Sequence, residues 1–426
     1  MSDWEQTTLG DLDTRVRRKV SVPPQGSRAS MSDWQQITLG DLLTRVRRKI
    51  TVKGGVSYPA VSVQMYGRGL GEKEPFVGGV SKYTTLNSVR ENDVVLRTIT
   101  AFEAPAGVAR PKHDGTHVSG VFITYEVGLS ILPEFLGLYF QTPVFWDEMQ
   151  NRASGTVLRR KTISDASFRA IPFSLPPLPT QERIVEVIAA IDNQITALDA
   201  ESEALEGILE SLRSHLPETD HEPISNVLLG IDSGKSVQAG GEASAEDEYR
   251  ILKLSAVQRG WFKPSEAKAL AEAAAFSPSH VVKNGDLLIT RANTPERVGF
   301  VAVAKNVPKG TFMPDLIWRL RVNESRVRAD YLEHALSSRE LRTSISGTAG
   351  GTSKSMVKIN KRGFGTVRMP IPSLPEQGEY VQRCNAVARG IMATRAEGAR
   401  LRRVRSGLLL GLLDRTIEIE SAELGV

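Results

Sequence analysis

Two short basic loops hold the residues of this chain best suited to chemistry. Arg159, Arg160 and Lys161 follow a Gly-Thr turn in ASGTVLRRKTIS, and Lys354, Lys358, Lys361 and Arg362 occupy the matching stretch that begins GGTSKSMVKIN. Ammonium and guanidinium groups are pure donors, so placed on glycine-containing loops they suit phosphate oxygens. A solvated charge run would use the same residue types. Arg291 and Asn293 stand just past an expected strand, where an Arg fork matches a guanine edge and an Asn amide matches adenine; Asn293 could equally shape a turn. Arg97 has a similar place in the first half, and Gln64, Tyr66 and Arg68 form a polar-aromatic loop with base-reading chemistry.

Other constellations point nowhere. GIDSGKS (230–236) has three residues between Gly230 and Gly234, one short of a phosphate-binding P-loop. His113 and His117 flank Asp114 at a metal-like spacing, but KHDGTH reads as an exposed turn with no third ligand nearby. Pro314-Asp315 lacks the acidic-x-Lys partner of a nuclease motif, and no Asn/Asp-Pro-Pro-aromatic motif or Gly-rich cofactor loop for amino-methylation stands out. The expectation is a chain without a catalytic site, a metal or a cofactor of its own.

The elements that position the basic loops form a unit written twice, at an offset of 196 residues. Phe135-Leu136 answers Tyr331-Leu332, Gly155-Thr156 answers Gly351-Thr352, and Leu178-Pro179-Thr180-Gln181 answers Leu374-Pro375-Glu376-Gln377. With small gaps, Glu91-Asn92-Asp93-Val94-Val95 answers Lys283-Asn284-Gly285-Asp286-Leu287-Leu288. Runs such as VVLRTI (94–99), GVFITYEV (120–127), DLLITR (286–291) and GFVAVAK (299–305) read as strands, and segments near 133–151 and 329–346 as helices. Each half is therefore expected to be an α+β globule.

Each half closes on a long helix. After the Pro-rich stop at 172–179, Thr180 is the expected N-cap, and Glu182 favours the first turn. Ile184, Ile188, Ile191, Ile195, Leu198, Leu205, Leu209, Leu212 and Leu216 then recur at alternating spacings of four and three, interrupted only by Ser202. That 3.5-residue period is a coiled-coil seam. The second seam runs through Tyr380, Cys384, Val387, Ile391, Thr394, Gly398, Leu401, Leu408 and Leu412, with Val404 expected to stand in for Arg405. Neither helix can bury its stripe alone, so the two should pair. About 34 helical residues give a rod of roughly 50 Å.

The N-terminus holds a second repeat. MSDWEQTTLGDLDTRVRRKV (1–20) and MSDWQQITLGDLLTRVRRKI (31–50) are near copies joined by SVPPQGSRAS. The second has Ile37 and Leu43 where the first has Thr7 and Asp13, so the second is expected to fill the structural slot. Residues 1–30 then form an extension; a functional basic arm (Arg15, Arg17, Arg18, Lys19) is the alternative. The resulting plan is an extension at 1–30, a globular domain at 31–175, a helix at 176–216, a second domain at 217–372, a second helix at 373–417 and a tail at 418–426.

Composition agrees with this plan. The chain has 426 residues, 40% hydrophobic and 24% charged, with a net charge of +5. The modest excess is compatible with a polyanionic partner and does not demand one. Cys384 is the single cysteine, which excludes an intrachain disulfide and fits a reducing cytoplasm. No apolar run approaches a membrane span, and the N-terminus lacks a signal-peptide pattern.

The twin boundaries IPFSLPPLPTQERI and MPIPSLPEQGEYV leading into long helices, the segment NGDLLITRANTPERVGFVAV and the opener WQQITLGDLL resemble the specificity subunits of type I restriction-modification systems, over about residues 31–415. The likeness has two departures: Gly378 and Glu379 replace Glu182 and Arg183, and the first domain has RTITAFEAPAGVA in place of the RANTPERVG segment. The resemblance implies an α+β fold with two pseudo-repeated target-recognition domains separated by a pair of long antiparallel coiled-coil helices. It implies that each domain reads one half of a split double-stranded DNA target. The helices would set the gap and, with neighbouring surface, dock two methyltransferase subunits. These flip out and methylate adenine with S-adenosylmethionine. Motor-nuclease subunits using ATP and Mg would join them, in the cytoplasm of a bacterium and with no membrane involved. The other readings are a coiled-coil adaptor, a specificity-like subunit of another defence complex, and a stand-alone nuclease or methyltransferase.

Overall fold

The computed structural model describes residues 34–157, 160–237, 240–271, 276–353 and 356–418. Among them, one unit comprises residues 34–193 with 402–418, and the other 194–401.

Each unit is built on a four-stranded sheet of the same order. In the first unit the strands run Leu43–Val46, Phe122–Val127, Val94–Arg97 and Ala106–Val108; in the second, Leu228–Ser233, Ile317–Val322, Leu287–Thr290 and Val301–Val303. The central strands are continuous apolar runs because both faces are covered. Side chains alternate across a strand, so Val94 and Leu96 enter a core shared with helices, while Val95 enters a second core shared with Val61, Val63 and Val118 of an accessory sheet. The second unit repeats this division, with Leu287 and Ile289 on the helical side and Leu288 on the other. The turn before each central strand is held by one aspartate: Asp93 accepts from the Arg90 N–H and Asp286 from the Lys283 N–H, both at 2.8 Å.

Each expected helical segment ahead of the basic loop is two short helices. Pro133–Tyr139 gives way to Pro143–Arg152 across Thr142, whose hydroxyl accepts from the Phe145 N–H, and Ala329–Leu336 gives way to Arg339–Gly347 across Ser338, which caps Leu341. Pro143 cannot donate a helical hydrogen bond and disfavours helix in the residue before it.

The long helices span Leu178–Ser214 and Leu374–Leu413. The first begins two residues before Thr180, whose N–H donates to Pro177 O at 3.0 Å, so Thr180 lies in the opening turn and is not its cap. The helices pack antiparallel. In the second unit Arg213 faces Tyr380, Leu205 faces Gly390, and Glu206 pairs with Arg395. In the first, Ile184 and Ile188 share the core with Leu409 and Leu412. The seam has a heptad texture: Ile188, Ile195, Ser202 and Leu209 are buried, whereas Ile191, Leu198, Leu205 and Leu212 are half-buried. On the second helix Cys384, Ile391 and Thr394 are buried and Val387, Leu401 and Leu408 half-buried. The expectation for position 404 fails. Val404 is exposed, and Arg405 keeps the seam, donating to Asp192 at 2.5 and 2.9 Å and to Gln141 at 3.0 Å. An ion pair lets the guanidinium sit where an aliphatic residue was expected, while its methylene stem still packs.

A buried glutamine ties each long helix to its unit. Gln181, 0% exposed, accepts from the Leu132 N–H at 2.8 Å and donates to Ser130 O at 3.0 Å and Pro176 O at 2.8 Å. Gln377, also 0% exposed, accepts from the Arg328 N–H at 2.8 Å and donates to Arg326 O at 2.9 Å and Pro372 O at 2.8 Å. A primary amide is suited to this task because it carries an acceptor and two donors on one planar group.

Near the N-terminus, Gln35–Thr38 pairs with Pro172–Leu175, Ile37 packs on the core, and Leu43 is 1% exposed within it. The first copy of this segment lies outside the described residues.

Candidate nucleic-acid interface

In both units the basic loop is fastened to the residues that follow the central strand. In the first unit the Ile163 N–H donates to Thr98 O at 3.0 Å, the Ala101 N–H donates to Lys161 O at 3.1 Å, and Ile99 forms a bridge with Thr162. In the second, the Ile359 N–H donates to Arg291 O at 3.0 Å, with Ala292 opposite Lys358 and Asn293 opposite Val357. The sequence repeat thus becomes a spatial one, with a basic loop beside the same end of the same sheet.

The first unit gathers most of its candidates around residues 98–104. Arg160 is exposed and Lys161 half-buried, while Arg159 lies outside the described residues. The loop of Gln64, Tyr66 and Arg68 joins them through the Tyr66 N–H, which donates to Glu103 O at 2.8 Å; the Tyr66 ring meets Trp146 edge-on at 5.1 Å. Gln64 and Arg68 are exposed. Arg97 is half-buried and donates to Glu103 at 2.6 Å, so it braces the same loop. Tyr66, Thr100 and Ala104 all have positive φ, at 56°, 55° and 46°. Left-handed backbone in non-glycine residues is costly and concentrates at functional sites. Gly67 permits the close approach of this loop: a Cβ there would lie 2.1 Å from Phe140 O.

The second unit arranges its cations around Trp318. The Arg291 guanidinium lies 5.8 Å and the Lys361 ammonium 6.0 Å from that ring, and Lys361 also donates to Ile231 O at 2.6 Å. Lys358 and Arg362 are exposed; Lys354 lies outside the described residues. Asn293 accepts from the Thr294 N–H at 2.9 Å, so its carbonyl shapes a turn. Asn293 also lines a cleft of about 540 Å³ with Gln258, Lys268, Arg297 and Asp315. Arg297, exposed at the rim, was not singled out from the sequence, where it is one Arg in an irregular loop.

Strongly shifted ionisations belong to buried structure and not to these loops. Burial pushes the Glu333 carboxyl up to about 7, although it accepts from the Val303 N–H at 2.7 Å. Burial, with the nearby Arg213 cation, pulls His334 down to about 4. His113 departs from expectation: it is 2% exposed, and its Nδ1 accepts from the Arg110 N–H at 3.0 Å within a short helical turn, so KHDGTH is not a solvated loop at that residue. Among the described residues no group of three His, Cys, Asp or Glu is arranged to hold a metal, and no helix is long and apolar enough to cross a membrane.

Fold and loops together define a duplicated α+β scaffold in which each unit carries its own basic loop cluster and a stretch of each of the two long antiparallel helices. Residues 31–206 match the family model described as type I restriction modification DNA specificity domain. The chain is 24% identical over 272 residues to the type I restriction enzyme EcoKI specificity subunit of Escherichia coli strain K12, covering 59% of this chain and 58% of that one. It is 25% identical over 150 residues to the EcoEI specificity subunit of Escherichia coli, covering 35% and 25%. The matches thus span between a quarter and rather more than half of these relatives. Among solved structures, one reported for complex assembly and conformational transition of the type I R-M system aligns with a TM-score of 0.55 at 17% identity, over 91% of this chain and 99% of that one. A type I restriction-modification S subunit from M. genitalium aligns with a TM-score of 0.51 at 12% identity, over 91% and 98%. Residues 31–206 are thus similar to the DNA specificity domain of type I restriction-modification systems, and the solved structures share the fold.

Proposed function

We propose that this chain is a non-catalytic specificity subunit and that it reads a split double-stranded DNA target with one half per unit. The observation that carries the reading is the equivalent fastening of Lys161 and Lys358 loops to the segment after the central strand in both units. Arg160, Lys161, Lys358, Lys361 and Arg362 bind backbone phosphates, which position the protein without conveying sequence. Arg291 and Asn293, and Gln64, Tyr66 and Arg68, face base edges in the grooves. Arg97 sets the shape of its loop through Glu103.

The long helices and adjoining surface dock two methyltransferase subunits, which supply S-adenosylmethionine chemistry on an extruded adenine. Motor-nuclease subunits supply ATP- and Mg-dependent cleavage. The setting is the bacterial cytoplasm. Exchanging residues 31–175 for the equivalent domain of another specificity subunit tests the division of labour. One half of the methylated motif should change and the other should persist; a motif changed in both halves, or in neither, would refute it.

A further inference from the structure

We propose that a cleft in the first unit, lined by Arg45, Arg47 and Lys49, is a seat for a backbone phosphate of duplex DNA; this rests on the reading that the chain binds DNA. Arg45 lies on the strand Leu43–Val46, Lys49 opens the strand Lys49–Thr51 of another sheet and Arg47 lies in the link between them, and all three line the cleft. Arg48 between them turns inward, donating to Asp93 at 2.5 Å and to Glu126 at 2.6 Å. That anchor fixes the segment and aims its neighbours outward. Arg47 and Lys49 are exposed, and their side chains have no hydrogen-bond or ion-pair partner among the described residues; Arg45 is held by Asp165 at 3.3 Å.

The cleft is about 290 Å³, and its lining includes no carboxylate. Across from Lys49 lies Asn87, whose Oδ1 is buried without a partner; a half-rotation of that amide presents its NH₂ to an anion. Arg47 and Lys49, cations with no ion-pair partner among the described residues, attract an external anion. The cleft also adjoins the loop cluster described above. Gly120 and Phe122 line it, and Val121 between them accepts from the Thr98 N–H at 3.1 Å and the Thr98 hydroxyl at 2.9 Å. The loops at Thr98 and the cleft therefore meet at Val121.

The test is the salt dependence of duplex binding by the full chain, alone and assembled with its methyltransferase subunits. Wild type is compared with Arg47→Ala/Lys49→Ala and with a charge-keeping Arg47→Lys/Lys49→Arg control. Each lost phosphate contact lowers the log–log salt slope by about 0.9, so the alanine pair, which empties the one seat, should lower it by about 1. Its loss of affinity between 50 and 200 mM salt should be about three- to fourfold smaller than that of wild type. Preference for target over scrambled duplex should stay unchanged, and the control should behave like wild type. A wild type that fails to distinguish target from scrambled duplex removes the DNA reading itself. A discriminating wild type whose slope is unaltered by the alanine pair overturns the phosphate seat alone. So does a pair that changes binding of inorganic phosphate and not of duplex.

Discussion

Replacing Gln181 with leucine should destabilise the first unit sharply, although the two side chains have similar volume. The wild-type amide is fully buried and makes three hydrogen bonds, to the Leu132 N–H, Ser130 O and Pro176 O. Leucine fills the space and leaves all three backbone groups without that partner. The bond to Pro176 is buried, and an orphaned buried group costs about 1–3 kcal/mol. The other two bonds are only partly buried, so water recovers some of their loss. The total is about 2–4 kcal/mol, which for a unit of this size lowers its melting temperature by about 5–15 °C. Gln181→Glu adds a second signature. A carboxylate there would face two carbonyl oxygens, so the folded state raises its pKa above the unfolded value. Stability is then greatest below the unfolded pKa and is lost as pH rises through the folded one. The variant should melt lower at pH 8 than at pH 5, by more than wild type does. Gln377→Leu should produce the same loss in the second unit, and the double variant should be additive because the two clamps share no partner. Differential scanning calorimetry reads all of these. A shift below about 2 °C for Gln181→Leu would refute the clamp as a source of stability.

Four further outcomes follow from the structure. Leu43→Asp, which installs the residue of the first N-terminal copy, buries a carboxylate in the core and should cost about 4 kcal/mol or more; recovery of a soluble, normally melting protein would contradict the placement of residues 35–46. Glu333, raised to about 7, favours the folded state below its unfolded value of 4.5 and loses that contribution as pH rises to about 7, so Glu333→Gln should narrow the stability difference between pH 5 and pH 8, as read by denaturant titration. Gly67→Ala drives a Cβ against Phe140 O and should displace the loop of Gln64, Tyr66 and Arg68, weakening target binding in filter or mobility assays with the second unit's melting unchanged. Asn293→Ala should relax one position of the recognised motif, whereas Lys358→Ala should weaken all duplexes alike, by about one unit of salt slope; the opposite pattern would exchange their roles.

The parts of the fold legible in the sequence are those where burial imposes a period. Heptad spacing marked both long helices because a two-helix seam buries every three and a half residues, and Cys384 and Ile391 fall on it despite the weaker middle of the second helix. The runs at 94–97 and 287–290 stood out because both faces of each central strand are covered. Gln181 and Gln377 were visible as matching letters of the repeat, but their task required knowing which backbone groups lay opposite. Arg405 was misjudged because its compensating partners, Asp192 and Gln141, come from distant sequence. His113 was misjudged for a related reason: a Pro-initiated turn tucks it inward, which composition alone does not signal. The cleft at Arg45–Lys49 did leave a trace, basic residues at alternate positions, but its value depended on Arg48 finding Asp93 and Glu126. The loop candidates were legible as chemistry. Their arrangement around Thr98–Ala104 and Trp318 was set by strand pairing across long sequence separations.

The most direct test of the central claim is adenine-methylation mapping by long-read sequencing in a host carrying this chain with its methyltransferase, against a deletion of the chain. The account predicts a split motif methylated on both strands that loses methylation when the chain is removed. Unchanged methylation in the deletion strain, with the methyltransferase expressed and assembled in the parent, would contradict it.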